Sequence, residues 1–94
     1  MSYAVVLAPA ALEDLAKLPP PLQNLVEAEL KRLAADPVKL SRPSHFPYIP
    51  CQMHAIDVPH DQATYYIKVL FRYSQDEQSI EIIGIAESHR QAPE

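Results

Sequence analysis

The chain contains 94 residues with an apolar content of 48% and a formal net charge of −4, which predicts one domain, 1–94, with a modest hydrophobic core. No apolar run approaches the roughly 20 residues that span a bilayer and no signal-peptide pattern opens the chain, so we expect a cytoplasmic protein without membrane contact. A single cysteine cannot form an internal disulfide, and the four histidines lack the spacing of metal ligands, so neither a metal nor another cofactor is predicted.

The first part of the chain predicts one strand and two helices. Residues 2–8 (SYAVVLA) read as a β-strand, and Pro9 is expected to open a helix that ends at the prolines 19–21. A second helix is predicted from Pro21 to Ala35, because leucines recur there at helical spacing until an Asp-Pro pair stops it. Two helices joined by so few residues form an antiparallel hairpin, and their apolar stripes need a sheet to cover.

The rest of the chain predicts a loop followed by three strands. Residues 38–50 contain several prolines and are interpreted as a stiff, extended loop, after which 51–58 is a strand candidate and 59–62 a turn. The segments 65–73 and 80–86 are rich in β-branched and aromatic residues and contain no proline. We expect them to be antiparallel neighbours in the middle of the sheet.

The strand 65–73 carries the most informative polar residues of the chain. Alternation along a strand predicts one face with Ile67, Val69, Phe71 and Tyr73, and another with Tyr66, Lys68, Leu70 and Arg72. Two cations therefore stand on one otherwise apolar face. The glycine at 84 lies inside the last strand, which is typical of a β-bulge or of a close backbone approach.

Positive charge is concentrated in the middle of this acidic chain. Residues 38–74 carry four Lys or Arg against two Asp, whereas the segments on either side are net negative. The overall charge argues against a general nucleic-acid binder, because such affinity depends on cations set against phosphates. Any polyanion is expected to bind the middle segment.

Three segments in this order resemble a known family. The segment 7–19 (LAPAALEDLAKLP), the strand 65–73 (YYIKVLFRY) and the ending 86–90 (AESHR) are together similar to the RelE/ParE superfamily of toxins from type II toxin–antitoxin systems. The resemblance implies an α+β fold, in which a small antiparallel-rich sheet carries an N-terminal α-hairpin on one face in the order β-α-α-β-β-β. It also implies a cognate antitoxin protein as partner.

The resemblance implies either of two activities, and each implies a different target. RelE-like toxins cleave mRNA on the ribosome and inhibit translation, whereas ParE-like toxins inhibit DNA gyrase. Cleaving RNA without a metal requires a proton acceptor for the 2′-hydroxyl, cations for the phosphate and a proton donor for the leaving oxygen. The candidate phosphate-binding residues are Lys68, Arg72 and Arg90, and the candidate proton carriers are His54 and His89.

The chain departs from the RelE-like pattern at several positions. Gln52 and His54 stand where RelE-like chains have two lysines, Glu87 stands where many relatives have a histidine, and no C-terminal segment with a catalytic tyrosine is present. The preferred hypothesis is a ribosome-dependent, metal-independent mRNA endonuclease. The alternatives are a gyrase inhibitor and a catalytically inactive binding module that kept the fold.

Two structural alternatives also stay open for the individual residues. Lys68 and Arg72 could simply extend from the solvent face of the sheet and pair with Glu81. Three tyrosines, at positions 48, 65 and 66, are candidates either for stacking on bases or for ordinary packing at the rim of the core.

Overall fold

The structure is a computed structural model that describes residues 2–45 and 50–91. It contains a five-stranded sheet in the order β1-β5-β4-β3-β2, with helices on one face. The elements are β1 (Ala4–Leu7), α1 (Pro9–Ala16), α2 (Pro20–Ala35), α3 (Pro37–Leu40), β2 (Arg42–His45), β3 (Pro50–His60), β4 (Ala63–Tyr73) and β5 (Ser79–Gln91). No helix within the described residues is long and apolar enough to cross a membrane.

The sheet confirms the predicted fold class. β1 runs parallel to β5, and every other neighbouring pair is antiparallel. β4 and β5 occupy the interior of the sheet, as their apolar and proline-free sequences predicted. The α1–α2 hairpin covers one face and buries its apolar stripe against alternating residues of β4 and β5.

The segment after α2 differs from the predicted extended loop. Pro37 begins a one-turn helix, where its missing N–H is not needed, and the Ser41 hydroxyl ends it by donating to the Pro37 carbonyl oxygen over 2.6 Å. Residues 42–45 then pair with β3 as an edge strand, a position that tolerates Pro43. The prediction failed because prolines at a helix start and on a sheet edge were read as loop signals. Tyr48, one of the stacking candidates, lies outside the described residues.

The two faces of β4 are as alternation predicted. Ile67, Val69 and Phe71 are almost fully buried against the helices. They pack with the buried side of α2 and with the β5 residues Ile80 and Ile82, and these side chains form the core. Among the described residues no helix packs on the opposite side of β4, where Leu70 is nonetheless only 3% exposed and Lys68 is exposed. This difference between the two sides positions the candidate site.

A β-bulge interrupts the pairing of β4 with β5 beside the glycine. Leu70 pairs with Gly84 whereas Phe71 pairs with Ile82, so Ile83 is the extra residue. The Asp14 carboxylate of α1 reaches this point and accepts a hydrogen bond of 3.0 Å from the Ile85 backbone N–H. Of the two alternatives predicted at Gly84, the bulge is therefore confirmed, and a helix side chain anchors it.

Candidate functional site

The pairing register shows which side chains share the side of the sheet that no helix covers, called here the open face. Residues directly opposite each other in neighbouring antiparallel strands point to the same face. Lys68 lies opposite Ala55 of β3 and Ala86 of β5, and Thr64 lies opposite Arg90. Lys68 and Thr64 are both even-numbered residues of one strand, so Lys68 and Arg90 project from the same face.

The bulge at Ile83 decides this arrangement. Before the bulge the helix-facing residues of β5 are Ile80 and Ile82, and after it they are Ile85, Glu87 and His89. A regular strand would have turned His89 toward the open face and Arg90 toward the helices. The one-residue insertion exchanges their faces.

Five exposed polar side chains lie together at one end of the open face, and we call them the open-face cluster. Its members are Asp57, Tyr66, Lys68, Ser88 and Arg90. Tyr66, which is 38% exposed, stands opposite both Asp57 and Ser88, and it lies between the levels of the two cations. Arg90 lies level with Thr64, four residues before Lys68, so the two cations are separated by about 13 Å along the strand direction. Neither cation forms an ion pair within the described residues.

Arg72 is on the same face but has a partner. Its Nε atom donates to the Glu81 Oε1 atom over 2.7 Å, and the register places the two residues opposite each other. The pairing with Glu81 considered from the sequence is thus confirmed for Arg72, although not for Lys68. Because Glu81 balances its charge, Arg72 contributes less to an anion site than the two unpaired cations do.

His54 lies on the opposite, helix-covered face of β3. It is only 7% exposed, its Nδ1 atom is 2.8 Å from the Leu40 carbonyl oxygen, and its Nε2 atom is 2.9 Å from the Glu29 Oε2 atom. A carbonyl oxygen can only accept a hydrogen bond, so Nδ1 carries a proton. Arg32 reaches the same Glu29 carboxylate over 3.2 Å.

The protonation of Glu29 follows from these contacts. Burial raises the pKa of Glu29, but the hydrogen bond from His54 and the charges of Arg32 and His54 outweigh that effect and lower its pKa below the ordinary value. The carboxyl group is therefore ionised at neutral pH and acts as an acceptor. Both ring nitrogens of His54 therefore face oxygen atoms that accept hydrogen bonds.

His89 is also on the helix-side face, beyond the end of the helices. Its Nδ1 atom is 2.8 Å from the Glu87 Oε1 atom, and its ring stacks on Tyr65 with a centroid distance of 4.8 Å. His89 and His54 are both on the side of the sheet away from Lys68 and Arg90. Of the five site residues predicted from the sequence, Lys68 and Arg90 therefore lie together on the open face. Arg72 is on the same face, and both histidines are on the other face.

Sequence reasoning missed Asp57 and treated Tyr66 only as a stacking candidate. The position of the β3–β4 turn would have indicated both residues. In the structure this turn consists of Asp61 and Gln62, which have positive φ angles of 51° and 62°. That turn pairs His60 with Ala63 and hence Asp57 with Tyr66. The pairing could have been counted from the sequence if the turn had been placed at these two residues.

The centre of the open face is apolar. Gln52 and His54, the residues compared with the two family lysines, point toward the helices, and β3 instead presents Met53 and Ala55 to the open face. Leu70 and Gly84 continue this apolar centre across the sheet. Within residues 2–45 and 50–91, no group of three or more His, Cys, Asp and Glu is arranged to hold a metal ion.

Comparisons with known proteins agree on the fold. No protein-family model and no curated protein sequence matches the chain. Among solved structures, a chain in the crystal structure of the toxin–antitoxin complex RelBE2 from Mycobacterium tuberculosis is similar over 94% of this chain and 100% of that chain, with a TM-score of 0.70 at 19% identity. The chain therefore has the RelE-like fold that the sequence resemblance predicted.

Proposed function

We propose that this protein is the toxin of a type II toxin–antitoxin system and that a cognate antitoxin binds it. The likeness to a chain of a toxin–antitoxin complex extends over nearly the whole length of both chains, and the order of sequence motifs supports the same family independently. At 19% identity the partner is a proposal for this chain and not a transferred property.

We further propose that the open-face cluster binds mRNA on the ribosome and cleaves it. The observation that carries this proposal is that Lys68 and Arg90 project from one uncovered face with Tyr66 between them. An RNA strand lying along β4 would meet a cation, an aromatic ring and a second cation, which suits phosphate, base and phosphate in turn.

The chemistry of cleavage would then depend on residues of the open face. Lys68 and Arg90 would stabilise the charge that develops on the phosphate. The proton-transfer groups on this face are Asp57 and Tyr66, since both candidate histidines lie on the other side of the sheet. A carboxylate can accept the proton of a 2′-hydroxyl, and a phenol can donate one to a leaving oxygen.

Expression in bacteria tests the proposal in two stages. The chain alone should stop growth, and co-expression with the adjacent antitoxin gene should restore it. Primer extension on cellular mRNA should then show cleavage within ribosome-bound messages. The double variant Lys68→Ala/Arg90→Ala should lose about 10²–10³-fold or more of the cleavage, because removing one charge-stabilising donor alone costs that much.

A matched control separates a site effect from a charge effect. Lys17→Ala/Lys31→Ala removes the same two charges from exposed positions on α2 and at the end of α1, away from the open face. It should cleave as the parent does. Equal cleavage by both double variants would refute the role of the open-face cluster.

A second candidate function is favoured by a different observation. The residues of β3, β4 and β5 that project from the open face include no histidine, and Met53 and Ala55 lie beside Lys68, which suits a protein-binding surface without catalysis. On this hypothesis the chain inhibits DNA gyrase or acts as an inactive binding module. Growth arrest without mRNA cleavage, together with loss of gyrase supercoiling in vitro, would support the gyrase branch. No effect on growth would leave the inactive module.

A further inference from the structure

His54 joins three separate elements at a single buried ring. The residue belongs to β3, its Nε2 atom contacts Glu29 of α2, and its Nδ1 atom contacts the carbonyl oxygen of Leu40, the last residue of α3. It is also the one polar or charged residue that is buried within the described ranges. A buried polar group of this kind is costly unless every hydrogen bond is made, and here both are.

The segment that His54 holds has little stability of its own. α3 has only four residues, and β2 is a four-residue edge strand. Such short elements depend on tertiary contacts. Besides the pairing of β2 with β3 and the packing of Pro37 and Leu40 onto the interior, two polar contacts hold this segment: the Ser41 hydroxyl donates to the Pro37 carbonyl oxygen and lies 3.5 Å from the Gln52 Oε1 atom, and His54 Nδ1 donates to the Leu40 carbonyl oxygen.

The same segment carries two cations to the edge of the open face. Lys39 and Arg42 line a cavity of about 350 Å³ together with Ala55 and His54. Ala55 lies directly opposite Lys68, and Arg42 lies opposite Met53, an open-face residue. The cations held by His54 therefore adjoin the open-face cluster, although His54 itself does not reach it.

We propose that His54 is a positioning residue, which as an imidazolium fastens α3 and the start of β2 and so holds Lys39 and Arg42 beside the open-face cluster for binding the RNA backbone. The part of this inference that concerns RNA rests on the proposed function. The part that concerns the fastening of α3 stands on the hydrogen bonds alone.

The inference depends on both ring nitrogens of His54 acting as donors. Glu29 of α2 contacts His54 and is paired with Arg32. Lys39 and Arg42 of the α3–β2 segment line the same cavity as His54, while the β4 residue opposite His54 is the uncharged Val69. The imidazolium satisfies both acceptors, and the neutral ring has only one N–H for two acceptors. Donation to Leu40 and Glu29 together therefore joins α3 and α2 through one ring of β3.

Two variants of similar size each keep only one of the two hydrogen bonds that His54 makes. His54→Asn places an amide N–H where Nδ1 was and can keep the bond to Leu40, whereas His54→Gln places it where Nε2 was and can keep only the bond to Glu29. His60→Gln is the control, since His60 is a partly exposed histidine on the same strand.

The first measurement is structural and independent of RNA. Nitrogen-15 NMR of the full chain should show both ring nitrogens of His54 protonated at pH 6, and amide hydrogen exchange should show residues 38–42 protected in the parent chain. His54→Gln should lose that protection at every pH, by about tenfold for one lost hydrogen bond, while His54→Asn keeps it. A singly protonated ring at pH 6, or equal protection in the two variants, would overturn the inference.

The second measurement follows a labelled single-stranded RNA by fluorescence anisotropy at pH 6. His54→Gln should bind the RNA about tenfold more weakly than the parent chain, whereas His54→Asn and His60→Gln should bind it about as tightly as the parent. If the parent binds no RNA, the proposed function fails while the exchange data still decide the role of His54. If RNA binds equally to all four chains, the positioning role is wrong and the proposed function survives.

Discussion

Replacing Asp14 tests whether a helix side chain holds the bulge that orients β5. The Asp14 carboxylate accepts the Ile85 N–H over 3.0 Å, and Ile85 is buried. Asp14→Ala would leave that N–H without its partner at the one place where the β4–β5 register shifts. A hydrogen bond to a charged group contributes about 1.5–3 kcal/mol, so the variant should lose about that much free energy of unfolding.

Urea denaturation followed by circular dichroism measures this loss directly. For a chain of this size the same loss lowers the melting temperature by on the order of 10 °C. Asp14→Asn keeps an oxygen acceptor without the charge and should lose about half as much. The exchange rate of the Ile85 amide should rise in Asp14→Ala relative to its neighbours, because the opening is local.

The control for this prediction is its sequence neighbour. Glu13 is exposed on the same helix and forms no side-chain hydrogen bond within the described residues. Glu13→Ala should change the free energy of unfolding by less than about 0.5 kcal/mol. If Asp14→Ala and Glu13→Ala were equally stable, the helix would not anchor the bulge and the reasoning would be refuted.

Three further predictions concern single sites. Gly84→Ala should change the stability by less than about 1 kcal/mol, because an added Cβ would meet the Leu70 Cδ1 atom at 3.8 Å and the Asp14 Oδ2 atom at 3.9 Å, which are ordinary contacts; a loss above about 2 kcal/mol in urea would contradict this. Arg72→Ala should lose less than about 1 kcal/mol, since its ion pair with Glu81 is solvent-exposed, and a melting temperature that dropped as far as that of Asp14→Ala would count against it. The free energy of unfolding should also fall in acid because of Glu29. The pKa of Glu29 is lowered in the folded state, so its contribution to stability is fully present above the ordinary value of 4.5. This contribution is lost as the pH drops through the folded-state pKa of Glu29. In Glu29→Gln that acid-dependent part should disappear from a series of melting curves, and an unchanged profile would show that Glu29 is not its source.

The sequence by itself was sufficient for the parts of the fold that local periodicity controls. Apolar residues at helical spacing predicted both long helices, and alternation in 65–73 predicted which side of β4 is buried. These patterns are local because a helix or strand must bury one side whatever it packs against. The same patterns placed Lys68 and Arg72 on the face opposite Phe71.

Tertiary structure alone decided how side chains from different strands combine. Which side chains of two neighbouring strands share a face depends on the pairing register, and a one-residue shift moves every side chain of a strand to the opposite face. The bulge at Ile83 is anchored by Asp14 of α1 through Ile85, which is 71 residues away in sequence. It put Arg90 on the same face as Lys68 and turned His89 to the other face. Likewise His54 faces Glu29 and Leu40 because β3 pairs with β4 as it does. The residue types were visible in the sequence, but their grouping into one site depends on long-range pairing that no local pattern encodes.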